Sequence, residues 1–189
     1  AIIARAIAPH QNKHSALVSL NLSQNNISNF DDSSTGGMAV AAALRGHRTL
    51  THVDLSHNRL DAAAICAVGF ALKNNRWIID LRLNDNAGDA EAATAIADSL
   101  MENRALTNLD LSDNRMLSTG AKAIAEAFAA NPVLKTVNLR GNHISEEGRA
   151  ALGLVLRPDL PSVQEAYERL EDVKMPETRH AGFTTRRSA

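Results

Sequence analysis

Apolar residues recur along this chain at fixed offsets around an asparagine, in the order Leu-x-x-Leu-x-Leu-x-x-Asn-x-Leu, and the pattern returns five times. The first copy is Leu17, Leu20, Leu22, Asn25 and Ile27; the second is Leu50, Val53, Leu55, Asn58 and Leu60. The third is Ile78, Leu81, Leu83 and Asn86, with Gly88 in the last apolar place. The fourth is Leu106, Leu109, Leu111, Asn114 and Met116, and the fifth Leu134, Val137, Leu139, Asn142 and Ile144. From Asn58 onward the asparagines stand 28 residues apart, whereas Asn25 and Asn58 are 33 apart, so that copy holds an insertion of five. The polar run Asp31-Asp32-Ser33-Ser34-Thr35 is its expected place, as a loop. Self-similarity with a period of roughly 20–50 residues is the mark of a solenoid.

Between the copies the spacing becomes helical. Ten residues beyond the repeat asparagine stand Val68, Ile96, Ile124 and Leu152, and fourteen beyond stand Leu72, Leu100, Phe128 and Leu156. With five added for the insertion, the same count reaches Val40 and Leu44. An apolar pair at i, i+4 is one stripe of an amphipathic helix. Alanine fills the intervals, as in Ala62-Ala63-Ala64 and Ala92-Ala93-Thr94-Ala95, and lets each helix lie close to its neighbours. Asp61, Asp89 and Ser145 stand where free N–H groups need a cap, and Glu146 and Glu147 add acid at the positive end of a helix dipole.

In these motifs the chain resembles the leucine-rich repeats, and its 28-residue step resembles their ribonuclease-inhibitor-like subclass. The resemblance covers Ala1 to Leu156. It implies an α/β fold in which each unit is a strand, a loop and a full α-helix. The units stack into a horseshoe, with a parallel sheet on the concave face and helices on the convex face. It is specific for fold and silent on function. Residues 1–157 are then the repeat domain, with a partial repeat at 1–16 and five repeats in 17–157. The opening Ala1–Ala8 reads as the tail of an earlier repeat helix, since Ile7 lies ten residues before Leu17 as Val40 does before Leu50. A sixth copy would place its first leucine at Ser162 and its asparagine at Leu170, and Pro158 and Pro161 interrupt the chain instead. Val163, Tyr167, Leu170 and Val173 keep a helical spacing, so 158–174 are expected to form a C-terminal cap helix. Residues 175–189 are polar and periodless and read as a flexible tail.

Asn25, Asn58, Asn86, Asn114 and Asn142 follow from the same logic. Where a short strand turns sharply inside a stack, backbone groups are left without partners, and a buried amide both donates and accepts. Repetition in every copy favours this structural role over direct ligand binding.

Composition narrows the functional classes. Hydrophobic residues make up 44% of the chain and aromatics only 3%, so Leu, Ile, Val and Ala must build the core. The net charge of −1 gives no basic field for nucleic acid, and no apolar run approaches the ~20 residues of a membrane span. Cys66 is the only cysteine, which excludes an internal disulfide and favours a cytoplasmic setting.

Strand positions that do not enter the core fall into columns about 4.8 Å apart between neighbours. One column is Asn21, Asp54, Arg82, Asp110 and Asn138; a second is Ser19, His52, Asp80, Asn108 and Thr136. The column before the repeat asparagine is Gln24, His57, Asp85, Asp113 and Gly141. Repeats two to four thus present Asp54, Asp80, Asp85, Asp110 and Asp113 on one face, with Arg82 among them and Arg140 at the C-terminal edge. Such a face is suited to a basic segment of another protein, because complementary charge raises association rate and fixes register. The bland alternative is a solvated face in which Arg82 bridges Asp54 and Asp110, a pair type worth about 0–1 kcal/mol.

Ser56, His57 and Asp85 bring together the groups of a hydrolytic triad, yet on an open surface without an oxyanion turn. His52, His57 and Asp85 match no zinc spacing, so no metal and no cofactor is implied. The expectation is a non-enzymatic protein-binding module, part of a larger polypeptide, with no nucleic acid or membrane among its partners. The alternatives are the targeting module of a bacterial effector, acting in host cytosol, and a GTPase-activating protein of the leucine-rich-repeat type.

Overall fold

The computed structural model describes residues 17–28, 34–146 and 148–149. The expected partial repeat at 1–16, most of the inserted polar run, the cap helix at 158–174 and the tail at 175–189 lie outside the described residues. Five strands, β1 (Ser19–Asn21), β2 (His52–Asp54), β3 (Asp80–Arg82), β4 (Asn108–Asp110) and β5 (Thr136–Asn138), alternate with four helices. The helices are α1 (Thr35–Gly46), α2 (Ala62–Asn74), α3 (Ala90–Glu102) and α4 (Leu117–Ala130). All strand pairings are parallel and the sheet runs in sequence order, each crossover being one helix.

Three-residue strands cannot hold themselves; the stack holds them. Leu20, Val53, Leu81, Leu109 and Val137 are partners in an unbroken register across the sheet. From the helical side Val40, Leu44, Val68, Leu72, Ile96, Leu100, Ile124 and Phe128 are all buried against them, as their spacing predicts. The helix starts also match. Asp61 Oδ1 accepts from Ala64 N at 2.9 Å, Asp89 Oδ1 from Ala92 N at 3.0 Å, and Ser145 Oγ from Gly148 N at 3.1 Å. The caps are tied between repeats: the Ser34 hydroxyl donates to Asp61 Oδ2, and the Ser118 and Ser145 hydroxyls lie 3.1 Å apart.

Gly88, which stands where the other copies carry an apolar side chain, sits in a filled space. A Cβ there would stand 2.9 Å from Ile65 Cδ1 and 3.0 Å from Asn114 Oδ1. Ile65 and Met116 supply the apolar cover that the missing side chain would have given.

The repeat asparagines do form a ladder. Asn114 Nδ2 donates to Leu111 O and Ser112 O in its own unit, at 3.0 Å each, and to Leu83 O of the preceding unit at 3.1 Å. Its Oδ1 accepts from Gly88 N at 2.9 Å. Asn58, Asn86 and Asn142 repeat the three donor bonds. Asn25 is exposed and, among the described residues, donates only to its own Leu22 O and Ser23 O. Asn58 Oδ1 is buried with no partner among the described residues, the position where the insertion breaks the period.

A second ladder, not anticipated from the sequence, closes the opposite end of each unit. Asn75, Asn103 and Asn131 stand three residues before the first leucine of a copy. Asn103 Nδ2 donates to Leu72 O at 2.7 Å and Asn75 O at 3.0 Å, while its Oδ1 accepts from Ala105 N and Leu106 N. Asn75 and Asn131 make the equivalent bonds. In the unit before Asn75 the place belongs to His47, only 1% exposed, whose Nδ1 accepts from Leu50 N at 3.1 Å. Its Nε2 has no partner among the described residues. Burial lowers the His47 pKa below its ordinary value.

Candidate functional site

The sheet register places the expected columns side by side. His52 pairs with Asp80 and Asp80 with Asn108; Asp54 pairs with Arg82 and Arg82 with Asp110. What these side chains do locally decides which are available to a ligand. Asp54 Oδ1 accepts from Ser56 N at 2.9 Å and Ser56 Oγ at 2.6 Å, and Asp110 Oδ1 accepts from Ser112 N and Oγ at 2.9 and 2.7 Å. Asn21 and Asn138 hold the same turn. Both aspartates of this column therefore spend one oxygen on the backbone that leaves the strand.

The column before the repeat asparagine is held in the left-handed region in all five units: Gln24, His57, Asp85, Asp113 and Gly141 have φ between 52° and 69°. That backbone throws the side chains of His57, Asp85 and Asp113 outward at the end of the concave face, where all three are exposed. His57 Nδ1 meets Asp85 Oδ2 across neighbouring repeats, with side chains 44% and 58% exposed. Asp113 is thus the freest carboxylate of the patch, while Asp85 is equally exposed but shared with an imidazole.

Arg82 does not bridge Asp54 and Asp110. Its Nε lies 3.7 Å from Asp80 Oδ1, two residues back on the same strand, because Asp54 and Asp110 already face their serines. The triad groupings are not assembled either: the Ser56 hydroxyl donates to Asp54, not to His57. His52 Nδ1 lies 2.8 Å from the hydroxyl of Thr51. Arg140 is exposed, its backbone N–H donating to Asn138 Oδ1 at 3.1 Å. Among the described residues no group of three or more His, Cys, Asp or Glu is arranged to hold a metal ion. No described helix is long and apolar enough to cross a membrane.

Family models described as Leucine Rich repeat match residues 46–65, 102–125 and 130–153, and a further one matches 16–38. This chain is a leucine-rich-repeat protein. The matched segments fall on the units whose strands, helices and asparagines have just been described. Two solved structures share the leucine-rich-repeat arrangement. A structure described as leiomodin-1 actin-binding site 2 has a TM-score of 0.60 at 19% identity, covering 81% of this chain and 82% of that one. The C-terminal domain of tropomodulin from Caenorhabditis elegans also has a TM-score of 0.60, at 15% identity, with coverages of 82% and 86%. At these identities the likeness is one of fold. No curated protein matches the chain.

Proposed function

We propose that this leucine-rich-repeat unit is a protein-recognition module, part of a larger polypeptide, that binds a basic segment of a partner on its partly acidic concave face. The observation that carries the reading is the pair of exposed carboxylates Asp85 and Asp113, set outward side by side by the left-handed turn that follows β3 and β4. Each unit repeats the same strand and turn while these outward side chains differ from unit to unit, so the columns are where specificity is written. The module is read as non-enzymatic: the Ser56 hydroxyl, the candidate nucleophile next to His57, is already donated to Asp54. The full α-helix between successive strands supports the ribonuclease-inhibitor-like subclass, and the lone Cys66 supports a cytoplasmic setting.

The test is affinity capture from cell extract with the wild type beside Asp85→Lys/Asp113→Lys, together with sedimentation of purified actin. Actin is included because the leiomodin-1 unit is described as an actin-binding site. A basic partner lost from the folded double variant, more completely at low salt, supports the reading. A partner retained equally by both proteins would overturn it.

A further inference from the structure

The edge opposite the acidic turn has the reverse chemistry. There the helices end, the second ladder turns the chain and the strands begin. From the last helical turn to the strand start, the described repeats carry Arg45, Arg48, Lys73, Arg76, Arg104 and Lys135 against two acids, Asp80 and Glu102. Arg48, Arg76 and Arg104 each follow a rung of the ladder: His47, Asn75 and Asn103. Because Asn75 Nδ2 donates to His47 O and Asn103 Nδ2 to Asn75 O, these arginines are carried on directly stacked turns.

Apolar side chains are exposed on the same edge. Of seven large hydrophobics exposed among the described residues, four lie here: Trp77, Ile79, Met101 and Val18. Arg48 lies over the Trp77 ring, its guanidinium carbon 5.9 Å from the centroid. Exposed tryptophan and arginine set among aliphatic side chains is the composition of an interface centre rather than of a solvated face.

Helix ends attract cations, and that accounts for part of the pattern. Arg104 Nη1 donates to Met101 O and Asn103 O, capping α3, and Lys73 is held by Glu102 at 2.8 Å. It does not account for Arg76, which is exposed and has neither a hydrogen bond nor an ion pair among the described residues. Nor does it account for Arg48, which lies on an aromatic face instead of a helix end.

We propose that this edge is a second docking surface. It takes an acidic protein segment whose apolar side chains pack on Trp77 and Ile79 while its carboxylates meet Arg48 and Arg76. A phosphate backbone fits less well, because apolar side chains interrupt the arginines, Asp80 begins the next strand and the chain as a whole carries a net charge of −1. The two faces would let one module hold two partners of opposite charge, or two segments of one partner.

The experiment is selection of a displayed library of random short peptides on the full chain, followed by fluorescence anisotropy with the enriched peptides. Enrichment of Asp/Glu together with Leu, Phe or Trp is expected. Those peptides should weaken about tenfold or more, near 1.4 kcal/mol, on folded Arg48→Glu/Arg76→Glu, and should be unaffected by Asp85→Lys/Asp113→Lys. Trp77→Ala, checked by circular dichroism, should weaken them as well. Enriched peptides without acidic excess, or acidic peptides that bind the arginine variant as well as the wild type, would overturn the proposal. So would binding to anionic vesicles or single-stranded DNA that competes with every selected peptide.

Discussion

Asn75 donates its side-chain amide to the carbonyl oxygen of His47 at 3.1 Å, so the one histidine in an asparagine ladder is bonded through its backbone on one side. Its ring stands in for the amide: Nδ1 accepts from Leu50 N as Asn75 Oδ1 accepts from Ile78 N at 2.9 Å. An imidazole that accepts at Nδ1 carries its proton on Nε2, and burial disfavours adding a second. The unfolded chain therefore takes up a proton near the ordinary histidine value while the folded chain does not. Stability associated with His47 is fully present above that value and is lost as pH falls from it toward the lowered folded value. Replacing His47 with Asn should remove this part of the acid slope. Urea melts between neutral and mildly acidic pH, wild type beside His47→Asn, check it: equal slopes would refute the assignment.

The two kinds of repeat asparagine should respond very differently to truncation. Asn114→Ala orphans the buried Gly88 N–H and takes one of two donors from each of Leu83 O, Leu111 O and Ser112 O, which keep Asn86 Nδ2, Asn142 Nδ2 and Asp85 N. At about 1–3 kcal/mol for an unsatisfied buried group, the loss is expected to exceed 2 kcal/mol. Asn25→Ala removes two exposed bonds within its own unit and should fall below about 1 kcal/mol. Equilibrium denaturation of both variants gives the comparison, and similar losses would mean that the inter-repeat bond contributes little.

Leu83 is completely buried between β3 and the helices. Truncation to Ala should destabilise the protein by about 2–5 kcal/mol through the cavity it opens. Hydrogen exchange should then quicken in the flanking units too, because each strand is held by its neighbours. An unchanged melting temperature would contradict the register given above.

Gly141 and Gln24 test the left-handed column from both sides. A Cβ on Gly141 would stand 2.1 Å from Asp113 Oδ1 and 3.1 Å from Asp113 Cα, at a φ of 69°. Gly141→Ala is therefore expected to destabilise, by more than the ~1–2 kcal/mol of the backbone preference alone. Gln24, exposed at a φ of 58°, should gain from Gly by up to about 1 kcal/mol. Thermal melts of the two variants should shift in opposite directions.

The strands, helix anchors, caps and repeat asparagines were legible in the sequence because each is a residue type at a fixed offset, and packing enforces that offset in every copy. The second ladder has the same period, with Asn75, Asn103 and Asn131 28 residues apart. It is hidden because an asparagine beside a helix end reads as an ordinary turn residue. The left-handed column has no such signal, since Gln24, His57, Asp85 and Asp113 share no side-chain chemistry. Nor does spacing tell which carboxylate Arg82 meets. Asp54 and Asp110 are its register partners, and only the serine hydroxyls already bonded to them leave Asp80 as the carboxylate nearest its Nε.

Both ladders join each unit only to itself and to the unit before it, at sequence separations that the period fixes. Excising residues 76–103 as a block would bring Asn131 to the same carbonyls of Leu72 and Asn75 that Asn103 now bonds, with no bond type lost. The reach of the molecule is thus a count of interchangeable segments, and a span between partners can be lengthened or shortened by whole units without redesigning any joint.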